Sequence, residues 1–240
     1  MGRAFEVRKQ AMAKTAAAKT RVYSKYGREV YMAAKNGIDP DANLELKRII
    51  EKAKKEQVPG DIIKRAIEKA KGGSEDNYSE VRYEGFGPGN TLFIVECLTD
   101  NVNRTISEVR NCFTKTGSKL GVSGSVVHMF NHQSVFAIKD VTEDEILEVV
   151  IENDIEVESI EADEDGVTVY GSVSDYSNIR TALLEAKKDI DFVTDEIMWV
   201  PTTEVKLAEQ DDIDKFNRLT QMLDELDDVK DVYNNAIIED

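Results

Sequence analysis

Among 240 residues there are two cysteines, two histidines, four prolines and one tryptophan, and nowhere a run of 18 apolar residues. Each scarcity closes off a class. Cys97 and Cys112 stand 15 positions apart without C-x-x-C spacing, which builds neither a disulfide framework nor a zinc site and reads as two reduced, buried thiols. Without a long apolar run, no transmembrane helix is expected. Few prolines, 14 glycines and 7% aromatics argue against collagen-like or disordered composition. His128 lies in an expected strand and His132 just beyond it, and neither has a Cys or a spaced His to complete a metal site. Segments of the G-x-S-x-G or H-E-x-x-H type are missing as well. No catalytic residue, metal or cofactor is therefore nominated, and the chain is read as a non-enzyme. The opening residues MGRAFEVRKQAMAKTAAAKT are too charged for the apolar core of a signal peptide, although their Arg, Lys and Ala content has something of an organelle transit sequence; the cytoplasm is the expected compartment.

What is abundant is charge, unevenly spread. The formal net charge is −16, yet residues 1–73 carry 18 basic and 9 acidic side chains, whereas residues 74–240 carry 13 and 38. A +9 end is thus joined to a −25 body. Residues 132–200 are the most lopsided stretch, with 4 basic against 19 acidic side chains. Such asymmetry points to a nucleic-acid-binding end on an acidic body; the plainer reading of the acidic part is that it keeps the protein soluble.

Periodicity divides the chain in the same place. An Ala-rich helix is expected to end near Asn36-Gly37, after which Asp39 caps a second helix with Pro40 in its first turn. Leu46, Ile49, Ile50 and Ala53, and then Ile62, Ile63, Ala66, Ile67 and Ala70, give the second and third helices one apolar face each. GGSEDNYSE (72–80) reads as a linker, closing a basic helical domain at 1–80. Beyond it, strands are expected at 91–98 and 125–130 around a helix at 102–117. The order βαββαβ, the ferredoxin-like pattern, is complete within 132–200. A strand at 202–208, a helix at 211–226 and a closing strand complete a second such set around it. The expected fold is α+β: a three-helix domain followed by a split ferredoxin-like domain (81–131 with 201–240), into which an acidic ferredoxin-like domain (132–200) is inserted.

Two loops imitate ligand sites and fail on context. YEGFGPGN (83–90) has three spaced glycines but precedes a strand and lacks Gly-Lys-Ser/Thr, so it reads as a turn or hinge. EADEDGVTVYGS (161–172) starts with Glu and ends with Ser between strands, which is a hairpin with Asp165-Gly166 at its turn rather than a calcium loop. The first helix is more informative. At ~100° per residue, Lys14, Arg21, Lys25, Arg28 and Lys35 fall within about 80° of arc, opposite Val22, Tyr23, Tyr26, Val30, Ala33 and Ala34. Only Glu6 and Glu29 oppose nine basic residues in positions 1–35. A phosphate backbone is the natural partner, with Arg8 and Lys9 as auxiliaries; an ordinary solvated helix face is the competing reading. Tyr23 and Tyr26 are expected in the helix core rather than stacked on bases.

YEGFGPGN together with VECLTDNVNRTISEVRNCFTKTGSKLGVSGSVVHMF (95–130) resembles the signature region of the YebC/PmpR family of probable transcriptional regulatory proteins. DPDANLELKRIIEKAKKEQVPGDIIKRAIEKA (39–70), MWVPTTEV (198–205) and DELDDVKDVYNNA (224–236) are similar to that family's pattern too. Gly2-Arg3-Ala4-Phe5-Glu6 stands where members commonly begin Gly-His-Ser-Lys-Trp, which resembles the YeeN-type branch, and Ser118 replaces the usual Gly or Asn. The resemblance implies three domains and nucleic-acid contact without catalysis. It implies either DNA-binding transcriptional regulation or ribosome-associated translation, including relief of stalling on proline-rich stretches and activation of a mitochondrial message. It also implies a second functional surface around Gly85, Gly87, Gly89, Arg104 and Lys115. A third reading, from the charge, is an adaptor whose acidic domains bind a basic protein.

Overall fold

The computed structural model describes residues 16–72, 77–187, 190 and 192–238, with side chains from residue 19 onward. It is an α+β fold in two compact units. The described part of residues 14–129, with 201–238, forms one, and Phe130–Val200 forms the other.

The first unit opens with α1 (Ala16–Lys35), α2 (Leu44–Lys55) and α3 (Gly60–Lys71). Tyr26, Val30, Ala33 and Ala34 of α1 meet Leu46, Ile49 and Ala53 of α2 and Ile63 and Ala66 of α3, so each helix spends its apolar stripe on one small core. The α1–α2 corner turns on Asn43, not on Asp39 as expected. Its Oδ1 accepts from the Leu46 N–H at 3.0 Å and caps α2, while its Nδ2 donates to the carbonyls of Ala33 and Gly37 at the end of α1. Asp39 closes a turn on the Asp41 N–H instead.

The α/β part of this unit contains β1 (Ser79–Phe86), β2 (Leu92–Thr99), α4 (Val102–Lys115), β3 (Lys119–Leu120), β8 (Val205–Leu207), α7 (Gln210–Asp224), β9 (Val229–Asn234) and β10 (Ala236–Ile238). Its four-stranded sheet runs β3-β1-β2-β9, and β8 pairs with β10 in a separate parallel ribbon. Two expectations are corrected here. β1 begins inside the stretch read as a linker and takes in half of the glycine segment. The strand expected at 125–130 is a loop and a 3-10 turn ending at Met129, because the buried Glu84 carboxylate accepts the backbone N–H groups of Gly124, Val126 and Val127 at 2.7–2.9 Å and leaves no ladder for them. Phe93, Val95 and Cys97 of β2 form the core with Val109, Cys112 and Phe113 of α4 and Phe216, Leu219 and Leu223 of α7. Both cysteines are unpaired and buried, and burial pushes the Cys97 thiol up to about 12.

In the other unit, β4 (Phe130–Ile138), α5 (Glu143–Glu152), β5 (Ser159–Asp163), β6 (Gly166–Ser172), α6 (Tyr176–Ala186) and β7 (Phe192–Pro201) give the sheet order β5-β6-β4-β7, the ferredoxin-like arrangement. The β5–β6 turn is Glu164-Asp165, one residue earlier than expected, held by Asp163 Oδ1 accepting from the Asp165 and Gly166 N–H groups. Thr142 and Glu145 form a capping box, and Glu143, Asp144 and Glu145 place negative charge at the positive end of α5.

Candidate nucleic-acid interface

Helical spacing puts Arg21, Lys25 and Arg28 on one side of α1, one per turn, as expected. What they meet is protein. Arg21 Nη1 donates to the Glu225 carbonyl at 3.0 Å, Lys25 Nζ to the Lys230 carbonyl and, at 3.4 Å, to Asp231 Oδ1, and Arg28 to the Asp227 carbonyl and, at 3.1 Å, to Asp228 Oδ1. The receiving segment is bent to suit. The β2–β9 register slips between Glu96 and Cys97, so Lys230 is a bulged residue whose carbonyl faces Lys25. Three of the cations expected on phosphate thus hold the acidic segment 225–231 in this structure. Arg8, Lys9 and Lys14 lie outside the described residues.

The exposed Lys35 goes elsewhere. Its ammonium sits 4.9 Å from the centroid of the Tyr31 ring, and that of the exposed Lys69, on α3, sits 5.4 Å from the same centroid. Tyr31 is buried and meets Tyr78 edge-on, which fixes the ring that gathers the two cations. Lys54, Lys64 and Lys71 add exposed cations on α2 and α3. Each of them lies near an acidic residue on its own helix, so none stands out as a stripe in the sequence. Tyr26 is in the core, as expected, and Tyr23 is half-buried against it.

Asp228 is the electrostatic centre of the α/β side. It is buried, and besides Arg28 it accepts from Thr99 Oγ1 at 3.0 Å, Thr105 Oγ1 at 2.8 Å and the Arg104 Nη2 at 2.7 Å. Burial pushes its carboxyl up, but the hydrogen bonds from Arg104, Thr105 and Thr99 outweigh it and hold the group below its usual range. Arg104 also reaches Asp100 at 2.8 Å. Beside this cluster Glu29 is buried with one carboxylate oxygen, Oε1, lacking a hydrogen-bond partner among the described residues. Burial raises its pKa, aided by nearby Asp231 and opposed by Lys25. Asp231 itself is held well below the usual range, because Lys25, Lys52 and Lys230 outweigh its burial.

The residues of the expected second surface have different surroundings. A side chain on Gly85 would place Cβ 2.3 Å from the Phe113 ring, and one on Gly87 would meet Phe93 at 2.4 Å. Gly89 has φ +61° and faces Leu207. These glycines let backbone pack onto core; the turn expected of the segment is confined to Pro88–Asn90, because Gly85 lies in β1. Arg104 is committed to Asp228 and Asp100, and Lys115 is exposed at the end of α4. Among the described residues no His, Cys, Asp or Glu cluster is placed to hold a metal ion, and no helix is long and apolar enough to cross a membrane. His132 stacks on Trp199 at 4.3 Å.

Comparison with known proteins gives a consistent result along the chain. Residues 3–73 match the profile of the TACO1/YebC protein N-terminal domain, and residues 78–236 match that of the TACO1/YebC second and third domain. A probable transcriptional regulatory protein of Alteromonas mediterranea is 56% identical over 238 residues, covering 99% of both chains. One of Acholeplasma laidlawii is 54% identical, covering 99% of this chain and 98% of its own. The crystal structure of a conserved hypothetical protein from Aquifex aeolicus superposes with a TM-score of 0.79 at 35% identity, over 95% of this chain and 93% of that one.

Proposed function

Since the chain belongs to the TACO1/YebC family, we propose that it is a non-enzymatic, cytoplasmic regulator of gene expression that grips nucleic acid through its helical bundle. The observation that carries the reading is that the ammonium groups of Lys35 and Lys69, from two helices, lie 4.9 and 5.4 Å from the centroid of the Tyr31 ring, on a domain with twice as many basic as acidic residues. Two exposed ammonium groups held about one ring suit a phosphate backbone, whose counterions they displace. Lys54, Lys64 and Lys71 are further exposed cations on α2 and α3, Lys64 and Lys71 on the side of α3 away from Lys69, and Lys14, Arg8 and Lys9 are further candidates. The names of the curated relatives favour a transcriptional role and hence DNA as the target.

Ribosomal RNA is the second reading. Its support is the −25 of residues 74–240, which a naked duplex repels and a ribosomal cleft lined with basic proteins accommodates. A Lys35→Glu/Lys69→Glu protein tests the grip against both. Its affinity for short duplex DNA by fluorescence anisotropy, or its co-sedimentation with ribosomes, is expected to fall about tenfold at low salt. Wild-type values for both would sink the proposal.

A further inference from the structure

Arg21, Lys25 and Arg28 hold the segment 225–231 much as a basic helix holds a nucleic-acid backbone, and we propose that this segment is an acidic latch that nucleic acid displaces from α1. The inference rests on the reading of the bundle as a nucleic-acid grip, and it adds a regulated second half to that grip. Over about two helical turns the cations take the carbonyls of residues 225, 227 and 230 and the carboxylates of Asp228 and Asp231, a run of negative groups along one stretch of chain.

Three further observations make the contact reversible. The bundle core, made of residues 22–70 and Tyr78, shares no residue with the α/β core of the same unit, which begins at Val81, and the latch residues of α1 meet 225–231 through polar groups. Asp228 keeps Arg104, Thr99 and Thr105 when Arg28 departs, which means that opening strands no buried charge there. Glu29 works in the same direction. Its buried Oε1, without a partner among the described residues, is a cost of the closed arrangement that hydration on opening relieves. Closed, the molecule offers nucleic acid the Lys35–Lys69 surface; open, it adds Arg21, Lys25 and Arg28.

The test is fluorescence anisotropy with a fluorescein-labelled duplex DNA and a labelled single-stranded RNA. Asp231→Asn removes the negative charge facing Lys25 while leaving the Lys230 carbonyl, and is expected to bind at least one probe about threefold to fivefold more tightly. The gain should vanish when Lys25→Gln is added. Asp227→Asn deletes the same charge from the same segment, but Asp227 meets Arg28 only through its backbone carbonyl, so it should stay near the wild-type value. Equal affinities for Asp231→Asn and Asp227→Asn overturn the latch. If Lys35→Glu/Lys69→Glu still weakens binding in that case, the grip stands without it; if no protein binds either probe, grip and latch fail together. A second measurement avoids the variants altogether: carbodiimide coupling of Lys25 to Asp231, read by mass spectrometry, should fall when the wild-type protein is saturated with the bound probe. An unchanged yield on the bound protein also overturns the latch.

Discussion

At the scale of single residues, two buried carboxylates organise the first unit by each accepting several hydrogen bonds. Asp228 collects side-chain donors from α1, β2 and α4, and Glu84 collects three backbone N–H groups from the loop that follows β3. For Glu84, burial pushes the carboxyl up, but the amides of Val126, Gly124 and Val127 outweigh it and hold the group below its usual value of 4.5. A depressed folded value means that stability is fully present above the unfolded value and is lost as pH falls through the folded one. Glu84→Gln turns an NH2 group toward donors, and we expect it to cost about 2 kcal/mol at neutral pH and to flatten stability below about pH 4.5. Urea unfolding at pH 7 and pH 3.5 checks both; an undiminished acid dependence in the variant would assign it to another group. Neither residue stood out in the sequence. With 47 acidic side chains in the chain, a buried carboxylate is recognisable only once the loops that surround it are folded.

At the scale of elements, legibility followed the length of the local signal. The stripes of α2, α3 and α4 and the inserted βαββαβ pattern repeat over a dozen residues or more and were readable. β1 was not, because Tyr83-Glu84-Gly85-Phe86-Gly87 carries the composition of a turn while serving as the end of a strand. Its register against β2 pairs Gly85 with Phe93, and Phe113 lies where a Gly85 side chain would project. Glycine here makes room for a ring, which composition cannot signal. Gly85→Ala is accordingly expected to lose about 1–3 kcal/mol through overpacking. Gly60→Ala, in the first turn of α3 with nothing within 4 Å of a new Cβ, should be neutral or gain up to about 1 kcal/mol. Equilibrium unfolding of the pair separates crowding from a general intolerance of substitution; equal losses would refute the crowding account.

At the scale of the whole chain, the division of charge at residue 73 was plain in the sequence, but the use made of it was not. A helical wheel identifies which cations share a side; it cannot show that their partners lie about 200 positions away, in a segment that reads as one more acidic surface. Three of the five stripe residues are engaged there, so the number of phosphates gripped should be small in the latched molecule. Counterion release makes that number measurable, since each duplex phosphate neutralised steepens the plot of log affinity against log salt by about 0.9. For duplex DNA between about 50 and 200 mM KCl, a grip centred on Lys35 and Lys69 with one or two flanking lysines predicts a slope of about −2 to −4. Recruitment of Arg21, Lys25 and Arg28 adds three phosphates and predicts about −5 to −6, with Asp231→Asn reaching the steep value more readily than the wild-type protein. A slope near zero would contradict an electrostatic grip of either size, because no arrangement of lysines and arginines on phosphate is indifferent to salt.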